Sequence, residues 1–152
     1  MEEKLTLVII PTYNEKDNIT PLTKKVLSYP ENVHILIVDD NSPDGTGKIA
    51  DHLSSQNSRI HVLHRNKKEG LGRAYIAGFK WALKNNYEFV MEMDCDFSHN
   101  PKEIANFLKK INEGYDLILG SRYLNGIRVM NWPISRLILS RGAALYVQLI
   151  TG

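Results

Sequence analysis

Cysteine is nearly absent from this sequence, and no uninterrupted apolar run is long. Cys95 is the only cysteine, so an internal disulfide is excluded and nothing indicates an oxidising compartment. The first apolar run covers six residues before Pro11, too few for a signal-peptide core or a membrane-spanning helix. We therefore expect a cytoplasmic protein.

An excess of charge of one sign is missing as well. The 19 Lys and Arg residues against 17 Asp and Glu give a net charge of +2 at pH 7, which does not indicate a nucleic-acid-binding surface. With 43% hydrophobic and 24% charged residues, the composition is typical of a globular domain. The length of 152 residues predicts a single domain over 1–152 with one hydrophobic core.

Five short runs of apolar and β-branched residues are separated by longer segments with helical spacing. The runs LTLVII and VHILIV are almost continuously apolar, which is typical of parallel strands covered by helices on both faces. The sequence therefore predicts an α/β fold with a mostly parallel sheet. The predicted strands are Leu5–Ile10, Val33–Val38, Ile60–Leu63, Phe89–Met93 and Leu117–Leu119.

The clearest predicted helix is Pro101–Glu113. Asn100 is a favourable cap, proline suits the first helical position, and Gly114 is a typical stop. Apolar residues recur in it at i, i+3, i+4 and i+7, which indicates one stripe packed on the sheet. The other predicted helices are Glu15–Leu27, Gly45–Ser55, Gly72–Lys84 and Ile134–Ile150.

Polar residues concentrate in the loops that follow the predicted strands, where open parallel sheets bind their ligands. In the stretch MDCDFSH, Asp94 and Asp96 end the fourth strand, and alternate residues point the same way. Two hard oxygen ligands on one side can hold Mg²⁺ or Mn²⁺ against a diphosphate. A D-x-D pair is also common by chance, so two solvated turn carboxylates are the alternative interpretation.

Asp39 and Asp40 end the second strand, and the stretch NSPDGTG after them has turn chemistry. One acid at this strand tip can bond a ribose hydroxyl or a base. The later stretch EGLG lacks the phosphate-loop patterns, which favours glycines that allow a helix to pack closely on the sheet. Its glycines are therefore interpreted as structural.

Other candidate chemistry is weaker. Arg122, Arg136 and Ser140 can converge on a phosphate, although most helical arginines are simply solvated. The five histidines lack zinc spacing, with His99 the least clear of them. Cys95 lies between two acids, whose charge disfavours its thiolate, so a nucleophilic cysteine is not expected.

Six stretches taken together, in their order and spacing, resemble the family 2 glycosyltransferases, specifically the dolichyl-phosphate or polyprenyl-phosphate mannosyltransferases. They are VIIPTYNE, VDDNSPDGT, GLGRAYIAGF, MDCDFSHNP, GSRYLNG and NWPISRLILSRGA, and they span residues 8 to 143. The first four indicate the wider family, and the tryptophan-containing stretch narrows it to the polyprenyl-phosphate branch. The resemblance implies a GT-A fold, which is a Rossmann-like nucleotide-binding α/β fold.

The resemblance also implies roles for individual residues. Asp94, Asp96 and Arg122 would be catalytic, and Ser98 would join the two acids around Mg²⁺ or Mn²⁺. Some relatives have Gln at this third metal position, so we expect Ser98 to act through a water. The nucleoside would be held by Pro11, Tyr13, Glu15 and Asp40, and the acceptor phosphate by Arg122, Arg136 and Ser140.

The implied reaction is the inverting transfer of mannose from GDP-mannose to a polyprenyl (dolichyl) phosphate. A phosphate monoester has its second pKa near about 6, so it is mostly dianionic at pH 7 and needs no general base. Three alternatives stay open: a family 2 enzyme that uses UDP-glucose, a sugar-nucleotide pyrophosphorylase, and a non-catalytic nucleotide-binding fragment.

The family continues beyond a helix like Ile134–Ile150, so we expect this chain to be truncated at its C-terminus. That last helix also leaves peripheral contact with the cytoplasmic face of a membrane open.

Overall fold

The computed structural model describes residues 4–121 and 134–151. The chain divides into two units, Met1–Gly114 and Tyr115–Gly152, which are described separately. The first unit contains every strand found in the described residues, and the second contains the last helix.

The first unit is built on a four-stranded parallel sheet in the order β3-β2-β1-β4. Strand β1 pairs with β2 on one side and with β4 on the other, so strand order reverses at β1. In open parallel sheets, ligands bind beyond the carboxyl ends of the strands at such a reversal. The strands are β1 Thr6–Thr12, β2 Val33–Asp39, β3 Ile60–His64 and β4 Phe89–Glu92.

Helices connect these strands, as the sequence predicts. Pro101–Glu103 forms a 3₁₀ turn that leads directly into α4, and the Asn100 side chain accepts a hydrogen bond from the Lys102 amide at 3.1 Å. Gly114, at φ +94°, follows the end of α4. The helices of this unit are α1 Ile19–Val26, α2 Thr46–Gln56, α3 Leu71–Lys84 and α4 Ile104–Asn112.

The prediction that the first helix starts at Glu15 is wrong, because α1 begins at Ile19. Two backbone amides that precede α1 are hydrogen-bonded to residues that follow β2. Glu15 donates its backbone N–H to Thr46 Oγ1 at 2.9 Å, and Lys16 donates its own to Asp44 Oδ2 at 3.2 Å. These bonds hold the segment against the loop after β2, and residues 16–18 form a turn rather than regular helix.

The core lies on both faces of the sheet. Leu7, Ile9, Leu36 and Val38 pack with α3, and the alternate residues Val8, Ile10, Ile35 and Ile37 are equally buried on the opposite face. Burial on both faces explains why these strands are almost continuously apolar.

The glycine that allows close packing is Gly78 rather than those of EGLG. A Cβ at Gly78 would lie 2.7 Å from Ile9 Cγ2, so α3 approaches the sheet too closely for a side chain there. A Cβ added at Gly70 or at Gly72 would meet no atom within 4 Å. Gly70 adopts φ +97° immediately before α3. The packing interpretation of EGLG is therefore wrong, since Gly70 instead provides the positive φ that the chain adopts directly before α3.

The predicted fifth strand, Leu117–Leu119, is also wrong. These residues have irregular backbone, and the two leucines are 75% and 81% exposed. They pair with no strand in the described part of the chain, and an extended segment without a partner leaves its backbone groups unpaired.

The second unit contains α5, Ile134–Thr151, which confirms the predicted last helix. No helix within residues 4–121 and 134–151 combines the length and the apolar character needed to cross a membrane.

Candidate active site

A cleft of about 210 Å³ opens beyond the carboxyl ends of the strands in the first unit. The β1–β4 pairing continues past β4 through a hydrogen bond from the Met93 amide to the Ile9 carbonyl at 3.1 Å. This extension brings the acids that follow β4 next to the loop that follows β1. Six residues named from the sequence therefore line one cleft: Pro11, Tyr13, Glu15, Asp40, Asp94 and Asp96.

Asp94 is held from two directions. The Tyr75 hydroxyl donates a hydrogen bond to Asp94 Oδ1 at 2.9 Å, and the Asp94 amide donates to His99 Nδ1 at 3.2 Å. Because Nδ1 accepts, a neutral His99 carries its proton on Nε2, which lies 3.9 Å from Asp94 Oδ2. Both ring nitrogens of His99 thus face groups of Asp94.

Tyr75 and His99 were not assigned roles from the sequence, although both belong to the stretches that carry the resemblance. Leu71 lines the cleft, and Tyr75 follows it by one turn of the same helix, so both side chains lie on the same helix face. This spacing is the sequence signal that could have identified Tyr75. Burial, followed by the hydrogen bond to Asp94, raises the pKa of Tyr75. The hydroxyl therefore stays a donor.

Asp96 is stabilised as a carboxylate by the turn that follows it. Phe97 adopts φ +61°, and the Ser98 amide donates to Asp96 Oδ1 at 2.9 Å. This backbone hydrogen bond, followed by one from the Ser98 side chain, lowers the pKa of Asp96. The structure thus pairs Ser98 with Asp96, and its role toward a metal stays a prediction.

Cys95 lies between the two acids but is buried, with 3% of its surface exposed. Burial, and then the charges of Glu15, Asp96 and Asp94, raise the pKa of the thiol to about 12. The prediction that its thiolate is disfavoured is confirmed, and a thiol of this kind is a poor nucleophile.

The two acids that end β2 have different environments. Asp39 is buried and accepts hydrogen bonds from Thr12 Oγ1 at 3.1 Å and the Ser42 amide at 3.2 Å, so it joins the end of β1 to the loop after β2. Asp40 lines the cleft instead, and Arg65 Nη1 lies 2.7 Å from its Oδ1. The acid available to a nucleoside is therefore Asp40.

A cation and an aromatic ring meet at the cleft wall. Lys68 Nζ lies 3.9 Å from the centre of the Tyr13 ring, and both residues line the cleft. Lys68 was not singled out from the sequence, because its loop has no recognisable phosphate-binding pattern. It brings a positive charge to a mostly acidic site.

The charge balance of the cleft favours a divalent cation. Among the described residues, Glu15, Asp40, Asp94 and Asp96 line it together with the ammonium of Lys68, and the Asp40 charge is already paired with Arg65. Magnesium is commonly held by one or two carboxylates together with substrate phosphates, which suits the pair after β4. In the described part of the chain, no cluster of three or more His, Cys, Asp or Glu residues forms a closed metal site. The donors thus fit a hard cation shared with a diphosphate.

The three predicted acceptor-phosphate residues all belong to the second unit, 115–152, whereas this cleft belongs to the first. Arg122 and the side chain of Arg136 lie outside the described residues. Ser140 lies on α5 in the second unit. Their roles stay predictions.

The first unit is an α/β domain with a parallel sheet and an acidic pair beside the reversal of strand order, and the comparisons identify its family. The sequence profile of Glycosyl transferase family 2 matches residues 7–149. The chain belongs to this family, which confirms the resemblance drawn from the six stretches.

Curated relatives have names from the polyprenyl-phosphate branch. Polyprenol monophosphomannose synthase of Mycolicibacterium smegmatis is 49% identical over 97% of this chain and 56% of the relative. Undecaprenyl-phosphate mannosyltransferase of Micrococcus luteus is 45% identical over 96% of this chain and 60% of the relative. The chain thus spans somewhat over half the length of these two relatives.

Solved structures of TarS from S. aureus are similar to this chain. One superposes with a TM-score of 0.61 at 23% identity, over 79% of this chain and 40% of that chain. A complex with UDP gives a TM-score of 0.55 at 27% identity, over 69% of this chain and 32% of the other. The predicted GT-A α/β fold is confirmed.

Proposed function

We propose that this protein is an inverting glycosyltransferase that moves mannose from GDP-mannose to a polyprenyl phosphate. The observation that carries the proposal is that Asp94 and Asp96 open into the same cleft as Tyr13, Glu15 and Asp40. The names of the two curated relatives support the sugar and the lipid acceptor.

The donor would bind with its nucleoside against the loops after β1 and β2 and its diphosphate toward the acids after β4. Tyr13 offers a ring face to the base, and Asp40 offers a carboxylate to the ribose or base. Asp94 and Asp96 would hold Mg²⁺ or Mn²⁺, with Ser98 acting through a water. When bound, this cation supplies positive charge to the departing diphosphate. The Tyr75 hydroxyl keeps the Asp94 carboxylate oriented, and His99 accepts a hydrogen bond from the Asp94 backbone amide.

In the transfer step, an oxygen of the acceptor phosphate forms a bond to C1 of mannose as the bond from C1 to the GDP oxygen breaks. Attack opposite the leaving group inverts the anomeric carbon. The acceptor is mostly dianionic at pH 7, so no side chain has to remove a proton. Arg122, Arg136 and Ser140 are proposed to hold the acceptor phosphate, because guanidinium groups match phosphate oxygens geometrically.

The second candidate is a family 2 enzyme with a UDP-sugar donor such as UDP-glucose. The observation in its favour is the similarity to the TarS structure that contains UDP. A non-catalytic nucleotide-binding fragment is the third candidate. Contact with the cytoplasmic face of a membrane belongs to the main proposal, because a polyprenyl acceptor lies in a bilayer.

The test is calorimetric titration with GDP and UDP, with and without Mn²⁺, followed by an assay of mannose transfer to polyprenyl phosphate. We expect GDP to bind with metal dependence and Asp96→Ala to weaken that binding about tenfold or more. Asp51→Ala is the matched control, since Asp51 is an exposed acid on α2 outside the cleft.

Each contrary result identifies a rival. Tighter binding of UDP would favour the second candidate, and binding without transfer would favour the fragment. Binding that needs no metal and survives Asp96→Ala would overturn the role of the acidic pair.

A further inference from the structure

Arg65 is a mostly buried arginine directly after β3 whose side chain is 11% exposed. Its backbone N–H donates to the Asp39 carbonyl at 2.8 Å, which extends the β2–β3 pairing and fixes where the side chain starts. Nη1 lies 2.7 Å from Asp40 Oδ1, and Nη2 lies 2.6 Å from Glu69 Oε2. The guanidinium therefore joins two acids.

These contacts form a closed ring around Asp40. The Glu69 amide donates to Asp40 Oδ2 at 3.3 Å, so both oxygens of the buried carboxylate accept hydrogen bonds from this segment. Arg65 itself does not line the cleft, whereas Asp40 does. Any effect of Arg65 on a ligand must therefore pass through Asp40 and the segment that follows Arg65.

The negative charge of Asp40 would oppose the binding of a diphosphate, and Arg65 neutralises that charge. A carboxylate in a poorly solvated wall repels a nucleotide diphosphate, because Coulomb energies are larger there than in water. The cleft already contains the charges of Glu15, Asp94 and Asp96. A divalent cation at the pair after β4 leaves Asp40 without a counter-charge, and Arg65 supplies it.

The same ring shapes the cleft wall. Glu69 is tied to both Arg65 and Asp40, and the neighbouring Lys68 lies over the Tyr13 ring at 3.9 Å. Gly70 then turns the chain into α3 with φ +97°. Arg65 thereby holds the short segment that carries Lys68, whose ammonium lines the cleft.

Arg59 shows what a purely structural arginine looks like in the same protein. Its side chain is also 11% exposed, but its guanidinium donates to the backbone carbonyls of Leu27, Tyr29 and Pro30 at 2.9–3.1 Å. It also pairs with Glu31, whose side chain is 89% exposed. None of these partners lines the cleft.

We propose that Arg65 is a positioning residue that sets the affinity for the donor's diphosphate, because it neutralises Asp40 and holds the Lys68 segment in place. This inference rests on the proposed function, in which the cleft takes a nucleoside diphosphate. It predicts a loss of affinity that depends on ligand charge. Removing the guanidinium should weaken binding of GDP far more than binding of the neutral nucleoside guanosine.

The experiment compares Arg65→Gln with Arg59→Gln in calorimetric titrations with GDP and Mn²⁺ and in NMR titrations with guanosine. We expect Arg65→Gln to weaken GDP binding about 10- to 100-fold, the range for a lost charge-assisted bond, and guanosine binding by less than about threefold. Arg59→Gln should lower thermal stability and leave GDP affinity within about threefold.

A double variant isolates the electrostatic part. Adding Asp40→Asn to Arg65→Gln removes the unpaired carboxylate and keeps a hydrogen-bonding group of the same shape. GDP affinity should be at least about threefold higher than in Arg65→Gln alone, with the amide at position 40 still able to bond the ribose or base. In a transfer assay, Arg65→Gln should raise KM for the donor more than it lowers kcat. If Arg65→Gln does not fold, Arg65→Lys keeps the charge and should bind GDP within about threefold of the native chain, and a loss as large as that expected for Arg65→Gln would then overturn the role of charge.

The outcomes separate this inference from the function on which it rests. GDP binding that is equal in Arg65→Gln and Arg59→Gln would overturn the role of Arg65 and leave the proposed function standing. An equal loss for guanosine and GDP, or no recovery in the double variant, would show that charge is not what Arg65 supplies. A native chain that binds no GDP would overturn both.

Discussion

The two ends of the parallel sheet use titratable side chains in opposite ways. At the amino ends of β2 and β3, His34 Nδ1 lies 2.8 Å from the Tyr87 hydroxyl, which lies 3.0 Å from His61 Nε2. The His61 ring packs against Trp81 with centroids 5.0 Å apart. At the carboxyl ends, Asp40, Asp94 and Asp96 face an open cleft. One end satisfies its polar groups internally, and the other presents them to a ligand.

The pKa shifts of the titratable groups at the two ends of the sheet have different causes. At the amino end, burial is the largest cause that lowers the pKa of His34 and of His61, so both rings stay neutral near pH 7. At the carboxyl end, hydrogen bonds from Ser98 lower the pKa of Asp96 and keep it charged. The sheet therefore concentrates net charge at one edge, where a cation and a diphosphate can use it.

Backbone geometry follows the same division. Among the described residues, Asn14, Asn41 and Phe97 adopt positive φ in loops at the carboxyl end, and Asn86 does so near the amino end. Asparagine tolerates this region, whereas phenylalanine does so at a cost of about 1 kcal/mol or more. Phe97 stands between Asp96 and Ser98, so this conformation allows the Ser98 amide to bond Asp96.

The largest expected effect comes from a change that acts on both ends. α3 contributes Tyr75 to the cleft and Trp81 to the histidine cluster. Gly78→Ala would place a Cβ 2.7 Å from Ile9 Cγ2, so we expect it to lower the free energy of unfolding by about 1–3 kcal/mol, measured by urea denaturation.

Gly72→Ala is the matched control, because it lies in the same helix with open space around the new methyl group. It should leave stability unchanged or raise it by about 0.5–1 kcal/mol through helix propensity. Equal effects of the two changes would contradict the close packing of α3 on the sheet.

A smaller effect is expected at the carboxyl end alone. Tyr75→Phe removes the hydrogen bond to Asp94, so Mn²⁺-dependent GDP binding should weaken about fivefold, the equivalent of about 1 kcal/mol. Calorimetric titration measures it. Tyr29→Phe, which loses a 3.0 Å bond to the Pro101 carbonyl away from the cleft, should leave GDP binding unchanged. A loss that is equal in both variants would refute the orienting role of Tyr75.

The smallest effect is a pH dependence at the amino end. The lowered pKa values of His34 and His61 mean that the folded state binds fewer protons than the unfolded state below pH 6.5. This contribution to stability is present above pH 6.5 and is lost as pH falls through that value toward the folded pKa values. Denaturation curves between pH 7.5 and about 5 should therefore show decreasing stability.

The double variant His34→Gln/His61→Gln should lose part of that pH slope, whereas His52→Gln, at an exposed site on α2, should keep it. A slope that is the same in all three proteins would show that the cluster does not titrate as proposed.

Much of the architecture was predictable, because strand and helix patterns are local. Parallel strands, the capped helix at Pro101 and the acids at strand tips all follow from neighbouring residues. The wrong predictions concern segments whose conformation depends on contacts with residues far away in the sequence. The amides at Glu15 and Lys16 bond Thr46 and Asp44 rather than starting a helix, and Leu117–Leu119 has strand composition without a partner strand among the described residues.

The amino-acid sequence by itself determined that this protein is an α/β member of its family with acids at the ends of its second and fourth strands. Only the tertiary structure decided which acid is buried in internal hydrogen bonds and which one lines the cleft. Asp39 and Asp40 are adjacent and chemically identical in the sequence. Asp39 is bound by Thr12, 27 residues away, and Asp40 is held at the cleft by Arg65, 25 residues away. Contacts between segments so far apart depend on how the strands are ordered in space, which local patterns do not encode.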